Sequence, residues 1–223
     1  MADDEPLVRW KWIADHLNYL AQLALDHAVM ALVPVLIGLL LAVPLGLLCA
    51  RHPRLYQPVA VVFNTLYALP AVAIFMLLVP YTGLGEAGTV MIPLTFYALA
   101  LLLPTTVEGL RATPEAVRQA ATAMGYGHWR RLVAVELPSS VPYLMGGLRV
   151  AAVSSISMAA VGALVGRGAL GYLFIDGFQR TFTTPILAGI VLIAALALLV
   201  DVALVLARRL LAPWAVRSQG AAQ

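Results

Sequence analysis

The stretch between Glu115 and Pro138 has the residue types and spacing of an element that docks onto another protein. It reads EAVRQAATAMGYGHWRRLVAVELP and lies between two long apolar runs. Ala116, Ala120 and Met124 recur at helical spacing on one face of a predicted helix. A face made of alanine has little side-chain entropy to lose, so it can enter a groove on a partner. The stretch therefore predicts protein–protein docking, with an ordinary basic loop as the alternative.

Thr113 and Pro114 predict the start of this docking helix, because threonine can cap free N–H groups and proline suits the first helical position. The helix is expected to end near Met124, with Gly125 supplying the left-handed residue just past it. A helix of roughly 11 residues is about 16 Å long. A second segment is expected to open at Trp129 and to run to the end of the stretch.

The spacing within this stretch resembles the EAA loop of ABC-importer permeases. The matching residues are Gln119, Ala120, Ala121, Gly125, Leu137 and Pro138. The resemblance implies that the loop docks into an ATP-hydrolysing subunit and converts its closure into movement of the membrane spans. The family pattern has glutamate where this chain has Gln119. We hypothesise that Glu115, one turn earlier on the same helix face, replaces that glutamate.

The residue types needed for enzymatic chemistry are scarce or scattered. Lys11 is the single lysine, so the phosphate-binding pattern G-x-x-x-x-G-K-[ST] cannot occur and ATP hydrolysis by that route is excluded. The lone Cys49 excludes an internal disulfide. The histidines lack metal-ligand spacing and are expected at membrane interfaces or in solvent; they are His16, His27, His52 and His128. We expect no catalytic residue, no metal site and no cofactor.

Long apolar runs predict an all-α membrane protein. Of the 223 residues, 62% are hydrophobic and 11% are charged, with a mean hydropathy of +0.91. A spanning helix needs roughly 20 mainly apolar residues, and lipid cannot satisfy the backbone of irregular segments. Five transmembrane helices are predicted, at 28–50, 58–80, 88–108, 141–165 and 185–207. Prolines within them are expected either to bend the helices or to be tolerated, and they are Pro34, Pro44, Pro70, Pro93 and Pro104.

The basic residues assign a side to each loop, because cytoplasmic loops carry an excess of arginine and lysine. One side holds Arg51, Arg54, Arg111, Arg118, Arg130, Arg131, Arg149, Arg208, Arg209 and Arg217. The other side holds only Arg9, Lys11, Arg167 and Arg180. This asymmetry predicts an external N-terminus, a cytoplasmic C-terminus and a cytoplasmic loop at 111–138 between the third and fourth helices. The net charge of +3 reflects this topology, and no nucleic-acid partner is expected.

The predicted organisation has three parts. Residues 1–27 form an external or interfacial segment, which Trp10 and Trp12 can anchor at the membrane surface. Residues 28–212 form a single transmembrane domain, and residues 213–223 form a cytoplasmic tail. No cleavable signal peptide is predicted, because the first apolar run follows an acidic start and is too long.

Stretches along nearly the whole chain resemble the permeases of osmoprotectant importers, which have a MetI-like fold. They are VPLGLLCARHPRL (43–55), NTLYALPAVAIFMLLVPYTGLG (64–85), LPSSVPYLMGGLRVAAV (137–153) and VGALVGRGALGYLFIDG (161–177). That family takes up glycine betaine, choline, carnitine or proline betaine. The resemblance implies a multi-pass subunit in the lipid of the bacterial plasma (inner) membrane. It also implies a second permease, identical or paralogous, two ABC ATPase subunits and an external substrate-binding protein.

A few polar residues fall within the predicted spans. Asn64, Tyr67 and Tyr97 are candidates for lining a translocation path, with ordinary helix packing as the alternative for each. Asp201 and Glu108 are acidic residues within or close to the predicted spans. Because a charge inside the membrane is costly, an acid there is first interpreted as a functional residue. Ion pairing close to the arginine-rich side is the alternative for both.

Two other functions stay open on the sequence. A permease for methionine or another amino acid would share the loop and the five-helix count. From a different class, the chain could be a membrane scaffold or sensor that carries no substrate.

Overall fold

The computed structural model describes residues 7–214, so the first six residues and nearly all of the predicted tail at 213–223 lie outside the described part. Within residues 7–214 the chain is helical and forms no strand. The helices are α1 (Trp10–Asp15), α2 (Leu17–Arg51), α3 (Pro53–Ala68), α4 (Ala71–Thr82), α5 (Ala87–Arg111), α6 (Glu115–Ala123), α7 (His128–Arg131), α8 (Leu137–Ala159), α9 (Tyr172–Gln179) and α10 (Thr183–Leu211).

Four helical stretches of the described residues are long and apolar enough to cross a membrane, and the bent pair of α3 and α4 makes a fifth if it is one span. The four are Leu17–Arg51, Ala87–Arg111, His128–Val165 and Thr183–Leu211. They confirm the predicted all-helical class with several apolar spans. The first of them begins well before the predicted boundary at 28, so between residues 7 and 16 the short α1 is the only separate helix.

The second predicted span, 58–80, is broken into two helices. α3 and α4 meet at an angle of 94°. Pro70 explains the break, because it lacks a backbone N–H and disfavours a helical conformation at Leu69 before it; Leu69 has φ −73° and ψ 143°. Of the two expectations for the prolines, bending therefore applies at Pro70. The other prolines expected to bend spans lie inside uninterrupted helices, namely Pro34, Pro44, Pro93 and Pro104.

The central helix of the bundle is α5, which packs against α2, α3, α4 and α8. Glycines bring the backbone of α2 close to it. A Cβ atom on Gly38 would lie 2.8 Å from the Cβ of Ala98, and one on Gly46 would lie 2.9 Å from the Cβ of Thr106. Without a hydrophobic driving force between helices in lipid, such close contact between small residues is a main source of helix association.

Two side-chain hydrogen bonds join α2 to α8 inside the bundle. The Nε2 atom of His27 lies 2.9 Å from the carbonyl oxygen of Ile156, and the hydroxyl of Ser155 donates to the carbonyl oxygen of Ala31 at 2.7 Å. His27 is fully buried, so its expected position at an interface or in solvent is wrong. A buried imidazole needs a hydrogen-bond partner, and the packing of α8 against α2 supplies one.

Candidate functional site

The predicted docking helix ends as expected, with a left-handed glycine just past its last turn. α6 ends at Ala123, and Gly125 follows in the left-handed region with φ +79°. The N–H of Gly125 donates to the carbonyl of Thr122 at 2.9 Å, and the N–H of Tyr126 donates to the carbonyl of Ala121 at 3.0 Å. This pair of bonds is the Schellman motif. It closes the helix and fixes the direction in which the chain leaves it.

The start of α6 differs from the prediction. Pro114 is the residue that precedes the helix, and no side chain caps the free N–H groups. Thr113 is buried, and its hydroxyl has no hydrogen-bond partner among the described residues. The expected threonine cap is therefore wrong. The helix starts at Glu115, whose carboxylate in the first turn is favourable for the helix dipole.

The residues that match the EAA pattern have different surroundings. Within α6 and the turn after it, Ala121 is buried. The other residues of the pattern there, and the nearby acid, are exposed: Glu115, Gln119, Ala120 and Gly125. Ala121 is the one buried residue of α6, with 2% of its surface exposed. Leu137 and Pro138 are half-buried at the start of α8. The surface that α6 offers to a partner therefore includes Ala120 and leaves out Ala121.

Arg131 fastens α6 to the segment that follows it. Its Nη1 donates to the hydroxyl of Thr122 at 3.1 Å, and its Nε donates to the carboxylate of Glu136 at 3.0 Å. Arg118 ties the same helix to the end of α5 by donating to the carbonyl of Leu110 at 2.8 Å. Hydrogen bonds that involve an ionised group are stronger than neutral ones. These contacts hold the loop as one unit with the adjoining spans.

These fastening residues were not among the residues singled out from the sequence. From the order of residues, Arg118 and Arg131 are only markers of the cytoplasmic side. The five-residue spacing of Arg131 and Glu136 is the one local signal that favours a pairing. The bond to Thr122 depends on how the loop turns back, which the order of residues does not reveal.

The second segment of the loop is continuous with a membrane span. From His128 to Val165 the backbone stays helical through α7, a π-helical turn at Leu132–Glu136 and α8. Pro138 has no backbone N–H to donate to a carbonyl group of the preceding turn. That turn, Leu132–Glu136, is π-helical. The expected separate segment ending at Pro138 is therefore the first part of the fourth span. The loop is thus joined to α8 without a break in the helical backbone.

An open concave surface lies beside α6. Its volume is about 490 Å³, and it is lined by Glu115, Arg118, Gln119, Thr122, Ala123 and Arg131. The side-chain amide of Gln119 donates to the carboxylate of Glu115 at 3.4 Å. The surface offers a partner one acid, one amide and two guanidinium groups.

The three candidate path residues have three different positions. Asn64 is exposed on α3, and Tyr67 is half-buried on the same helix. Tyr97 of α5 is buried, and its hydroxyl donates to the carbonyl of Leu69 at 3.0 Å. The rings of Tyr67 and Tyr97 meet edge to face with centroids 5.5 Å apart. Tyr97 therefore holds the break between α3 and α4, while Asn64 and Tyr67 lie along the accessible side.

Asp201 forms an ion pair with Arg149 of the neighbouring span. The Nε and Nη2 atoms of Arg149 donate to the two carboxylate oxygens at 2.7 and 2.8 Å. This bidentate geometry is the strongest form of the arginine–carboxylate contact. Ion pairing was the alternative interpretation of Asp201, and here its partner lies within the bundle. Glu108, the other acid, is exposed near the end of α5.

The fold and the loop define a class, the multi-pass helical components of transport systems in the inner membrane. Residues 42–213 match the family described as the inner membrane component of binding-protein-dependent transport systems. The chain belongs to this family. It is accordingly a membrane-embedded translocation subunit of an importer.

Similar proteins of known name cover nearly the same length. The osmoprotectant import permease protein OsmW of Salmonella typhimurium is 31% identical over 85% of this chain and 90% of that protein. The carnitine transport permease protein OpuCD of Listeria monocytogenes is 36% identical over 84% of each. The glycine betaine/carnitine/choline transport system permease protein OpuCD of Bacillus subtilis is 35% identical over 88% of this chain and 86% of that protein.

The fold also occurs in a solved structure. A chain of the MetNI methionine ABC transporter, in an inward-facing conformation, superposes with a TM-score of 0.76. The match covers 88% of this chain and 98% of that chain at 21% sequence identity. This likeness establishes the MetI-like fold.

Proposed function

We propose that this chain is the permease subunit of an ATP-driven importer for osmoprotectants such as glycine betaine, choline, carnitine or related quaternary amines. The observation that carries the substrate class is the similarity, over most of the chain, to permeases named for osmoprotectants, carnitine and choline. ATP hydrolysis belongs to a separate subunit, because the chain has one lysine, Lys11, and no phosphate-binding loop.

The working assembly contains two permease subunits, identical or paralogous, two ABC ATPases and an external substrate-binding protein. The N-terminus is external, and the loop at 111–138 and the C-terminus are cytoplasmic. The arginine-rich ends of the spans support this orientation. Arg111 and Arg131 flank α6, and Arg208 and Arg209 lie at the end of α10.

The coupling surface on α6 consists of Glu115, Gln119 and Ala120. These residues are exposed, and the Schellman motif and Arg131 hold the helix at a defined angle to α8. The hydrogen bond between Gln119 and Glu115 supports the hypothesis that Glu115 supplies the acidic contact of the family pattern. When the ATPase closes, the force on α6 passes through the continuous helix into the fourth span.

A substitution at Ala120 tests the coupling surface. Ala120→Trp fills the space that a groove would need, whereas Ala120→Ser keeps the side chain small. In proteoliposomes that contain the complete importer, Ala120→Trp is expected to lower substrate-stimulated ATP hydrolysis by about tenfold or more, which corresponds to about 1.4 kcal/mol in activation free energy. Ala120→Ser is expected to behave as the parent. Full stimulation in the tryptophan variant would disprove docking through this surface.

The same proteoliposomes test the substrate class. Uptake of labelled glycine betaine is compared with uptake of labelled methionine, the substrate in the name of the transporter with the same fold. Uptake of betaine alone supports the proposal. Uptake of methionine alone would make the chain an amino-acid permease. The scaffold or sensor alternative is supported only if choline, carnitine and a mixture of amino acids, like these two solutes, neither enter nor stimulate the ATPase.

A further inference from the structure

The Arg149–Asp201 ion pair lies well inside the membrane-spanning part of the bundle. Arg149 is roughly 18 Å along α8 from Leu137, and Asp201 is roughly 15 Å along α10 from Leu211, at 1.5 Å per residue. The two side chains are 38% and 28% exposed. The described part of the chain therefore covers this pair incompletely.

Charge that faces lipid at this depth is costly, by about 2.5–3.5 kcal/mol per residue even on the more favourable experimental scale. Charged residues within spans accordingly face protein or a water-filled cavity. Because Arg149 and Asp201 keep part of their surface open, water or another protein must complete their surroundings.

The surfaces on either side of the pair differ in polarity. The open surface of α10 is apolar and carries Ile190, Val191, Leu198, Leu199, Val202 and Leu206. The open surface of α8 is mixed: Tyr143, Gly146, Val150 and Ser157 are exposed, and Ser154 is half-buried. The first surface suits lipid. The second, which we call the α8 stripe, has a polar or small residue at nearly every turn.

An open cavity of about 430 Å³ joins the ion pair to the α8 stripe. It is lined by Gly146, Arg149, Val150, Val153, Ser154 and Asp201. Both charges of the pair border this space together with the Ser154 side chain. A solute in the cavity would meet a cation and an anion side by side.

We propose that the α8 stripe lines a water-filled passage along the open side of the bundle, and that Arg149 and Asp201 are its charged site for small zwitterions. The carboxylate of such a solute faces Arg149, and its quaternary ammonium group faces Asp201. The identity of the solute rests on the proposed function. The position of the water-filled passage rests only on the exposure of the ion pair and the polarity of the surrounding surface.

Cysteine accessibility tests the passage directly. The chain has one cysteine, Cys49, which is buried, so Cys49→Ala provides a background. In it, Ser154→Cys is compared with Leu198→Cys on the apolar surface of α10. Both are treated in native membranes with a charged, membrane-impermeant methanethiosulfonate, added from either side and without substrate. Ser154→Cys is expected to react roughly tenfold faster, because the reactive thiolate forms in water and not in hydrocarbon.

A second variant tests whether the ion pair borders the same water. Ser154→Cys combined with Asp201→Asn leaves the positive charge of Arg149 uncompensated. The rate with an anionic reagent should then rise several-fold relative to the rate with a cationic one. An unchanged ratio would remove the pair from the passage.

Two results would overturn the assignment of the passage itself. Equal, slow labelling of Ser154→Cys and Leu198→Cys would make the stripe a lipid-facing surface. Absence of labelling together with a disulfide between Ser154→Cys residues of two copies would make it a dry contact between subunits. Fast labelling of Ser154→Cys without betaine uptake would instead retain the passage and reject the proposed substrate. The two proposals can therefore fail separately.

Discussion

At the scale of single residues, neighbouring positions in the loop have separate physical roles. Ala120 is exposed and available to a partner, whereas Ala121 is buried within its own chain. Of the two alanines of the pattern, one is thus accessible from outside the chain and the other packs within it. A large residue at 121 would act first by overpacking the loop, which costs about 1–3 kcal/mol at a well-packed site, and only indirectly on the partner.

Gly125 and Gly127 offer a matched test of the helix end. A Cβ atom at either glycine would meet no atom of residues 7–214 within 4 Å. Gly125 has φ +79°, whereas Gly127 has φ −65°. Gly125→Ala should therefore cost about 1–2 kcal/mol from backbone conformation alone, and Gly127→Ala should cost little.

Hydrogen exchange of the α6 amides in the assembled importer measures this difference. Gly125→Ala is expected to speed their exchange by a factor of roughly 5–30, the equivalent of 1–2 kcal/mol. Gly127→Ala is expected to leave it unchanged. Equal protection in both variants would mean that the left-handed turn does not hold the helix.

At the scale of helices, the break between α3 and α4 is held by a residue from another span. Pro70 ends the helical hydrogen bonding, and the hydroxyl of Tyr97 reaches across from α5 to the carbonyl of Leu69. In lipid an unpaired carbonyl would be costly. The bent pair is therefore stabilised by α5 and is not simply a flexible joint.

Tyr97→Phe tests this contact, and Tyr67→Phe is its control. The first variant removes the hydrogen bond to Leu69 and keeps the ring. We expect a loss of about 0.5–1.5 kcal/mol in the free energy of unfolding, measured by denaturation of the purified subunit in mixed micelles. Tyr67→Phe keeps both the ring contact and the bond to Leu69, so it should be close to the parent. Equal stability of the two variants would contradict the role of Tyr97.

At the scale of the whole molecule, the loop, the fourth span and the ion pair are connected one after the other. Arg131 connects α6 to the helix that continues into α8, and Arg149 connects α8 to Asp201 of α10. A force applied to the loop thus reaches two spans through charged contacts. In the proposed importer, this series links the ATPase to the passage.

The orientation of the molecule gives the last prediction. In the Cys49→Ala background, Ala120→Cys should react with an impermeant reagent only from the cytoplasmic side. Gln179→Cys, exposed at the end of α9, should react only from outside. The basic ends of the spans favour this orientation. Labelling of Ala120→Cys from the exterior of intact cells would reverse the topology and remove the coupling role of the loop.

The sequence by itself determined the helical membrane class and the C-terminal end of α6. Long apolar runs must be helical, because a bilayer offers the backbone no hydrogen-bond partners. Gly125 marks the end of α6, because a left-handed residue is needed there. Both conclusions depend on interactions within a few residues of the chain or with a uniform solvent. Even so, the sequence does not reveal that Pro70 interrupts its helix whereas Pro93 lies within a continuous one. Whether a proline interrupts a helix depends on the residues packed around it.

Only the tertiary structure decided which residues are buried and which are paired. His27 forms a hydrogen bond with Ile156 because α2 packs against α8. Arg149 pairs with Asp201, which lies on a helix much later in the chain. Ala121 turns inward while Ala120 stays exposed for the same kind of reason. Local spacing specifies what a side chain can do. Which partner it meets depends on how distant helices pack, and no short stretch of sequence contains that information.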